Sequence, residues 1–372
     1  MIYDNLNYKI GITLIKGIGN ALAKNLIAYI GSEEGIFKES QKNLAKIPGI
    51  GDVLSREIVN ADVLKRAEQE VEFITKNKIV PLYFTDRDYP FRLKECPDSP
   101  IMLYTRGNCS LNNGKFIGLV GTRNATETGR ENCRKLIQDI AQQLPNAVIV
   151  SGLAYGVDIC AHKAAVEYGL PTIGVVGHGL DRIYPAVHRP TAVKMVENGM
   201  LLTEYLSGTN PDRQNFVQRN RIIAGLCDAT VVVESASKGG ALITAEQAND
   251  YNRDVFAFPG RVGDEWSAGC NALIKANKAS LIESADDMLH FMNWEKQNVS
   301  NQVNIQTALF LDLTDEDQSI VSLLRQFADG IQLNELAIKL ELPVSKISSM
   351  LLELEFKGIL KCLPGSVYKI VK

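Results

Sequence analysis

Arginines, an asparagine and an aromatic ring occur together in one short stretch of this chain, close to a glycine pair. Phe216, Arg219, Asn220 and Arg221 precede an apolar strand, and residues 238–240, Lys-Gly-Gly, follow it. The glycines are expected to open a helix, whose first N–H groups lack partners and bind anions. Guanidinium groups match phosphate oxygens, and an exposed ring can stack on a base. The pattern predicts a nucleotide or single-stranded nucleic acid as ligand.

The overall charge limits how such binding could work. The 372 residues include 40 Lys and Arg against 43 Asp and Glu, a formal net charge of −3. A chain that is not basic overall binds nucleic acid through local positive patches. The length suggests two or three domains, and the composition is that of a globular protein.

The seven cysteines are scattered, and no Cys-x-x-Cys pair occurs. This spacing predicts neither a zinc ribbon nor a dithiol redox site. Their odd number and apolar neighbours favour reduced thiols in the cytoplasm. The sequence has neither a signal-peptide pattern nor an apolar run long enough to cross a bilayer, so we expect no membrane association.

Residues 1–75 are predicted to form a helical domain with an internal repeat. Segments 15–19 and 47–51 each contain Gly-Ile-Gly and lead into a helical pattern. In a helix-hairpin-helix, such glycines let backbone N–H groups approach a phosphate. The repeat indicates a tandem, SAM-like unit. Acidic residues nearby, including Asp52 and Glu57, leave open whether it contacts DNA or is only a helical bundle.

Residues 76–292 alternate apolar strands with helical segments. The predicted strands are residues 116–120, 147–150, 172–176, 231–233 and 255–258. This alternation predicts an α/β fold with a Rossmann-like parallel sheet, whose ligands bind beyond the carboxyl ends of the strands. Neither Gly-x-Gly-x-x-Gly nor a Walker-type glycine loop occurs, so no dinucleotide or ATP cofactor is expected.

One pair within this region could do proton chemistry. Asp158 and His162 share a helix face at i, i+4. We favour a carboxylate at a helix start beside a partly buried imidazole, and an acid/base role is the alternative. The four histidines do not group with carboxylates at metal-ligand spacing, so no metal site is expected.

A series of motifs runs through the central region. They are Val120–Arg123, Ser151–His162, Tyr184-Pro185, Phe216, Arg219–Leu226, Gly239–Ala245, Pro259-Gly260 and Gly269–Ile274. From about residue 89 to 279, their order and spacing resemble the DNA-processing protein A family, DprA or Smf. One departure is Lys238-Gly239-Gly240, where the family commonly has a serine-glycine pair. His188 stands near a position often occupied by asparagine.

The resemblance implies an extended Rossmann-like domain, residues 76–292, that binds single-stranded DNA in a positive pocket. It also implies a homodimer that delivers incoming strands to the recombinase RecA during natural transformation, without enzymatic activity. Phe216 takes the base-stacking role. The implied phosphate contacts are Gly121, Thr122, Arg123, Arg213, Arg219, Asn220, Arg221, Lys238, Gly239 and Gly240.

An enzyme is the alternative reading of the same residues. Rossmann-like nucleoside-monophosphate phosphoribohydrolases also combine an arginine, a glycine loop and a glutamate. Here residues 238–240 and Glu246 stand at comparable offsets, but Leu242-Ile243 replaces the Gly-Thr of that group. Structural roles also compete: Phe216 could be a core ring, and Arg219 and Arg221 could form surface ion pairs.

The end of the chain is predicted to be separate. Residues 293–306 are polar and aperiodic, so a linker is predicted over residues 293–310, and the pattern of residues 311–372 predicts three helices and a hairpin, a winged helix. The presumed recognition helix, 345–357, carries Glu353 and Glu355 beside its lysines. A duplex reader presents more base- and phosphate-contacting side chains. The balance favours partner docking or regulation.

Overall fold

The computed structural model describes residues 5–295 and 314–370, except 325–326, 328–329, 341, 357–358 and 364–365. The chain divides into two compact units, Met1–Val299 and Ser300–Lys372. Residues 296–310 of the predicted linker lie outside the described residues.

Six helices begin the first unit: α1 (Leu6–Leu14), α2 (Asn20–Ile30), α3 (Glu33–Lys38), α4 (Gln41–Leu44), α5 (Gly51–Val59) and α6 (Leu64–Asn77). The two Gly-Ile-Gly turns precede α2 and α5 and pack reciprocally. Gly17 (φ 81°) lies against Leu54, and Gly49 (φ 87°) lies against Leu22. At either glycine, a Cβ would come within 2.8 Å of the leucine Cδ2. This reciprocal packing confirms the predicted tandem helix-hairpin-helix.

Nine strands form one mixed sheet with the order β1-β2-β6-β5-β4-β3-β7-β8-β9. They are β1 (Val80–Tyr83), β2 (Met102–Gly107), β3 (Lys115–Val120), β4 (Ala147–Ser151), β5 (Thr172–Val175), β6 (Met200–Thr203), β7 (Ala229–Val232), β8 (Asp254–Ala257) and β9 (Ser280–Leu281). The seven strands from β6 through β5, β4, β3, β7 and β8 to β9 run parallel to one another. At one edge, β2 pairs antiparallel with β6, and β1 pairs antiparallel with β2. The predicted parallel sheet is confirmed. After β3, the chain adds β4, β5 and β6 on one side of it and then β7, β8 and β9 on the other side. The strand order therefore reverses between β3 and β7, which is a topological switch point.

Helices cover both faces of this sheet. They are α7 (Phe91–Lys94), α8 (Glu127–Gln143), α9 (Val157–Glu167), α10 (Arg189–Asn198), α11 (Arg213–Leu226), α12 (Gly240–Asp250), α13 (Ala268–Lys275) and α14 (Ala285–Phe291). Alternate residues of β3 serve the two layers, as strand geometry requires. Phe116 and Val120 pack with apolar residues of α11 and α12, whereas Ile117 and Leu119 pack with those of α8 and α9.

The second unit is a winged helix with a core of its own. Its elements are α15 (Asp315–Leu324), β10 (Ile331–Gln332), α16 (Leu333–Leu340), α17 (Val344–Phe356), β11 (Leu360–Leu363) and β12 (Val367–Ile370). The sheet has the antiparallel order β10-β12-β11, so the predicted hairpin gains a third, two-residue strand. On the presumed recognition helix, Leu352 and Phe356 are 53% and 84% exposed. This helix therefore presents apolar side chains to solvent.

Candidate nucleic-acid interface

An open cavity of about 990 Å³ lies at the carboxyl ends of β3 and β7, beyond the switch point. Such crevices bind ligands in open α/β sheets. Ten of the eleven residues implied by the resemblance line it: Gly121, Thr122, Arg123, Arg213, Phe216, Arg219, Asn220, Lys238, Gly239 and Gly240. The structure therefore brings together residues that are up to 119 positions apart in the sequence.

The loop after β3 holds Arg123 at the rim of this cavity. Gly121 packs so closely that a Cβ would meet Val157 Cγ2 at 2.4 Å. The Thr122 N–H donates to the Glu234 carbonyl at 2.8 Å. The Glu234 carboxylate accepts from the Thr126 N–H at 2.9 Å and from its hydroxyl at 2.5 Å. These contacts fix the loop while the Arg123 side chain stays exposed.

Two aromatic rings form a stacked pair at the cavity wall. Phe216 lies 5.8 Å from Tyr184, centroid to centroid, with the planes inclined by 19°. The Arg123 guanidinium carbon lies 5.8 Å from the Phe216 ring centroid. Phe216 is half-buried here rather than a core ring, and Tyr184 is 47% exposed. The sequence analysis named Tyr184 only within the motif Tyr184-Pro185 and did not predict it as a site residue.

Helix α12 points its N-terminus at the same cavity. Its cap residue is Gly239, whose position has no side-chain cap, and its first turn has no acidic residue. The first N–H groups of such a helix and its dipole favour an anion. Lys238 is exposed beside this end, and the Asn220 side chain donates to the Gly240 carbonyl at 3.3 Å. Asn220 therefore braces the glycine loop.

Arg219 lines the cavity from within the wall. It is 4% exposed, and its Nη1 donates to the Gly152 carbonyl at 2.7 Å and to the Val175 carbonyl. A Cβ on Gly152 would stand 2.6 Å from this guanidinium, so only glycine leaves room for it. Burial lowers the pKa of Arg219 and raises the pKa of Asp158, and the attraction between the two charges opposes both shifts. Arg219 thus ties the ends of β4 and β5 to α11. The alternative interpretation of Arg219 as a surface ion-pair residue is therefore wrong.

Arg221 does not reach this cavity, which corrects the expectation that all the arginines share one pocket. It forms an ion pair with Glu204, and its Nε lies 3.9 Å from Asp98 Oδ2. It lines a second cavity of about 900 Å³ between α2 and the sheet. Residues two apart on a helix are rotated by about 200° around its axis and so lie on nearly opposite sides. The spacing of Arg219 and Arg221 therefore already indicated that the two side chains face different cavities.

Glu246 and His162, the residues of the two enzymatic alternatives, each have a partner in the structure. Glu246 lines the cavity, but its Oε1 lies 3.2 Å from Lys278 Nζ. His162 is fully buried with Nδ1 2.7 Å from the Thr172 hydroxyl, and burial lowers its pKa to about 3. His162 is therefore a neutral core residue. Across residues 5–295 and the described part of 314–370, no His, Cys, Asp or Glu cluster could hold a metal.

Fold and site together define a Rossmann-like domain with an open cavity at its switch point, preceded along the chain by a tandem helix-hairpin-helix and followed by a winged helix. Three family models match: DNA recombination-mediator protein A over residues 81–293, a SAM-like helix-hairpin-helix tandem over 11–61, and the DprA winged helix domain over 308–366. A Synechocystis protein Smf is 31% identical over 97% of this chain and 98% of its own length. The chain belongs to the DprA/Smf family.

Other relatives agree with this assignment. A Streptococcus pneumoniae DNA processing protein DprA is 41% identical over 55% of this chain and 71% of its own length. The crystal structure of DprA from that species covers 76% of this chain and 97% of its own, with a TM-score of 0.63 and 34% identity. A Helicobacter pylori DNA processing protein A, solved to study its single-stranded DNA binding mode, has a TM-score of 0.52 and 28% identity. It covers 58% of this chain and 96% of its own. Among the described residues, no helix is long and apolar enough to cross a membrane.

Proposed function

We propose that this chain binds single-stranded DNA in the cavity at the switch point and acts as a DNA-processing mediator in natural transformation. The observation that carries this proposal is the placement of Arg123 over the Phe216 ring of the Phe216–Tyr184 stack, in a cavity that the uncapped N-terminus of α12 also lines. The H. pylori relative, whose single-stranded DNA binding mode has been studied, supports the choice of ligand.

Each part of the cavity has a role in this proposal. Arg123, Arg213 and Lys238 are exposed cations that neutralise phosphates, and the first N–H groups of α12 donate hydrogen bonds to the oxygens of one phosphate. The stacked rings receive a base, which contributes about 1–3 kcal/mol. Because phosphates are alike and stacking tolerates every base, the binding is largely independent of sequence. Duplex DNA hides its base faces, so single strands are preferred.

The later steps are part of the same proposal. A homodimer would present two such cavities to a strand and then deliver the strand to RecA. The match to the DNA recombination-mediator protein A model supports this step. A stimulation assay with RecA on coated single strands tests delivery separately from binding.

Fluorescence anisotropy with a labelled single strand and its blunt duplex, over a salt series, tests the binding step. We expect preference for the single strand and a log–log slope of about −0.7 per phosphate neutralised. Arg123→Glu should weaken binding at least about 100-fold, about 2.7 kcal/mol, because it removes one phosphate partner and adds repulsion. Arg87→Glu, at an exposed position outside this cavity, is the matched control for charge. Equal weakening by the two variants would refute the site.

A further inference from the structure

Two thiols meet where α8 packs on α9, behind the Arg123 loop. Cys133 is fully buried, Cys160 is half-buried, and both are reduced. Cys133 belongs to the apolar core that α8 and α9 share, and Cys160 packs against that core. Cys160 Sγ also lies 3.6 Å from the Arg130 carbonyl oxygen, one turn before Cys133. The two thiols therefore lie at the same contact between α8 and α9, although they are 27 positions apart in the sequence.

The pair is chemically asymmetric. The hydrogen bond from Cys133 lowers the pKa of Cys160, and Arg130, Lys163 and Arg134 lower it further against the opposing effect of burial. The same hydrogen bond, together with burial, raises the pKa of Cys133. A thiolate is the nucleophile in sulfur chemistry, and a protonated neighbour can resolve its oxidised form.

The other described cysteines lack this environment. Burial raises the pKa of Cys96 and Cys109 to about 11 and that of Cys270 to about 12. Cys227 is fully buried, and burial raises its pKa as well. Cys362 is exposed in the second unit. Cys160 thus combines a nearby thiol, cationic neighbours and access from solvent.

We propose that Cys133 and Cys160 are a thiol oxidation site that closes to a reversible disulfide with a hydroperoxide as oxidant. The Cys160 thiolate attacks the peroxide oxygen, the O–O bond breaks, and the alkoxide leaves and takes up a proton, which gives a Cys160 sulfenic acid. The Cys133 sulfur then attacks the Cys160 sulfur, the S–O bond breaks, and hydroxide leaves with the Cys133 proton as water. Two thiols are oxidised and one peroxide is reduced to an alcohol and water.

Peptide mapping of the full chain after treatment with tert-butyl hydroperoxide tests this site. We expect a linked peptide joining Cys133 to Cys160, a mass about 2 Da lower, and reversal by dithiothreitol. Cys160→Ser should abolish the linkage and leave Cys133 reduced. Cys133→Ser should stop the reaction at a Cys160 sulfenic acid, which dimedone captures. Cys362→Ser is the control, and it should leave the rate of linkage within about twofold of wild type, because Cys362 lies outside the pair.

The outcomes separate clearly. Oxidation confined to Cys362 or other thiols, or a Cys160 sulfenic acid that persists in the wild type, would overturn the proposal. Linkage that proceeds at an unchanged rate in Cys160→Ser through another cysteine would do the same. If Cys133→Ser unfolds, as circular dichroism would reveal, the wild-type peptide map and the Cys160→Ser variant still decide.

Discussion

The two sides of α11 line two cavities of similar size, about 990 and 900 Å³, whose basic residues differ in whether carboxylates compensate them. On one side, Arg123, Arg213 and Lys238 stand at the open cavity, and none of the described carboxylates lies within ion-pair distance of them. On the other side, Arg221 is matched by Glu204 and Asp98.

This difference shows that arginine content alone does not define a phosphate site. A charge already neutralised by a buried carboxylate offers little to a phosphate, and its release would leave that carboxylate unpaired. Uncompensated cations beside a helix N-terminus are what attract an anion. Substitutions on the two sides of α11 test this difference in charge compensation.

The largest effect should come from Arg219, which supports the open cavity from below. Arg219→Met removes the charge that opposes the effect of burial on Asp158, and it takes this donor away from the Gly152 and Val175 carbonyls. We expect the free energy of unfolding to fall by about 3–5 kcal/mol. Urea unfolding measures it, and adding Asp158→Asn should recover part of the loss. An unchanged midpoint would show that the guanidinium is not needed to hold the strand ends.

The stacked rings should contribute next. Phe216→Ala removes the ring beneath Arg123 and should cost about 1–3 kcal/mol of single-strand affinity with little change in salt slope. Tyr184→Ala should weaken binding in the same way, whereas Phe216→Tyr keeps a stacking surface and should bind nearly as wild type. Anisotropy titration measures all three. If Phe216→Ala changes the salt slope but not the affinity, the ring has another role.

Removing residues 311–372 should have a smaller effect. Because α17 presents Leu352 and Phe356 with Glu353 to solvent, it is poorly suited to phosphates. We expect the truncated chain to keep single-strand affinity within roughly tenfold, about 1.4 kcal/mol. Complete loss of binding with the circular dichroism of the sheet unit preserved would place the site in the winged helix instead.

The smallest effects should come from two residues whose charges are already paired. Arg221→Gln, on the far side of α11, and Glu246→Ala, paired with Lys278, should each change strand affinity by less than about 0.5 kcal/mol. Their matched counterpart is Arg123→Gln at the open cavity. Incubation with adenosine monophosphate serves as the enzymatic check. Release of adenine by the wild type but not by Glu246→Ala would favour the hydrolase.

Much of this architecture was predictable because its signals are local. The strand-then-glycine segments around Val120 and Ser151 indicate a parallel sheet from a few consecutive residues, and the repeated Gly-Ile-Gly turns indicate the helix-hairpin-helix. The strands β1, β2, β6 and β9 of the large sheet and the added β10 were not predicted. These strands have only two to six residues, too few for a periodicity of their own, and pairing with neighbouring strands defines them.

The sequence alone determined which residue types were available for phosphate and base contacts, because glycine turns, arginines and rings are properties of single positions. Tertiary structure decided which of them meet. Tyr184 joins Phe216, Cys133 joins Cys160, and Arg221 turns away from the open cavity to Glu204. The physical reason is that charge compensation and stacking depend on distances of a few ångströms between distant parts of the chain. Packing of the helices on the sheet sets those distances.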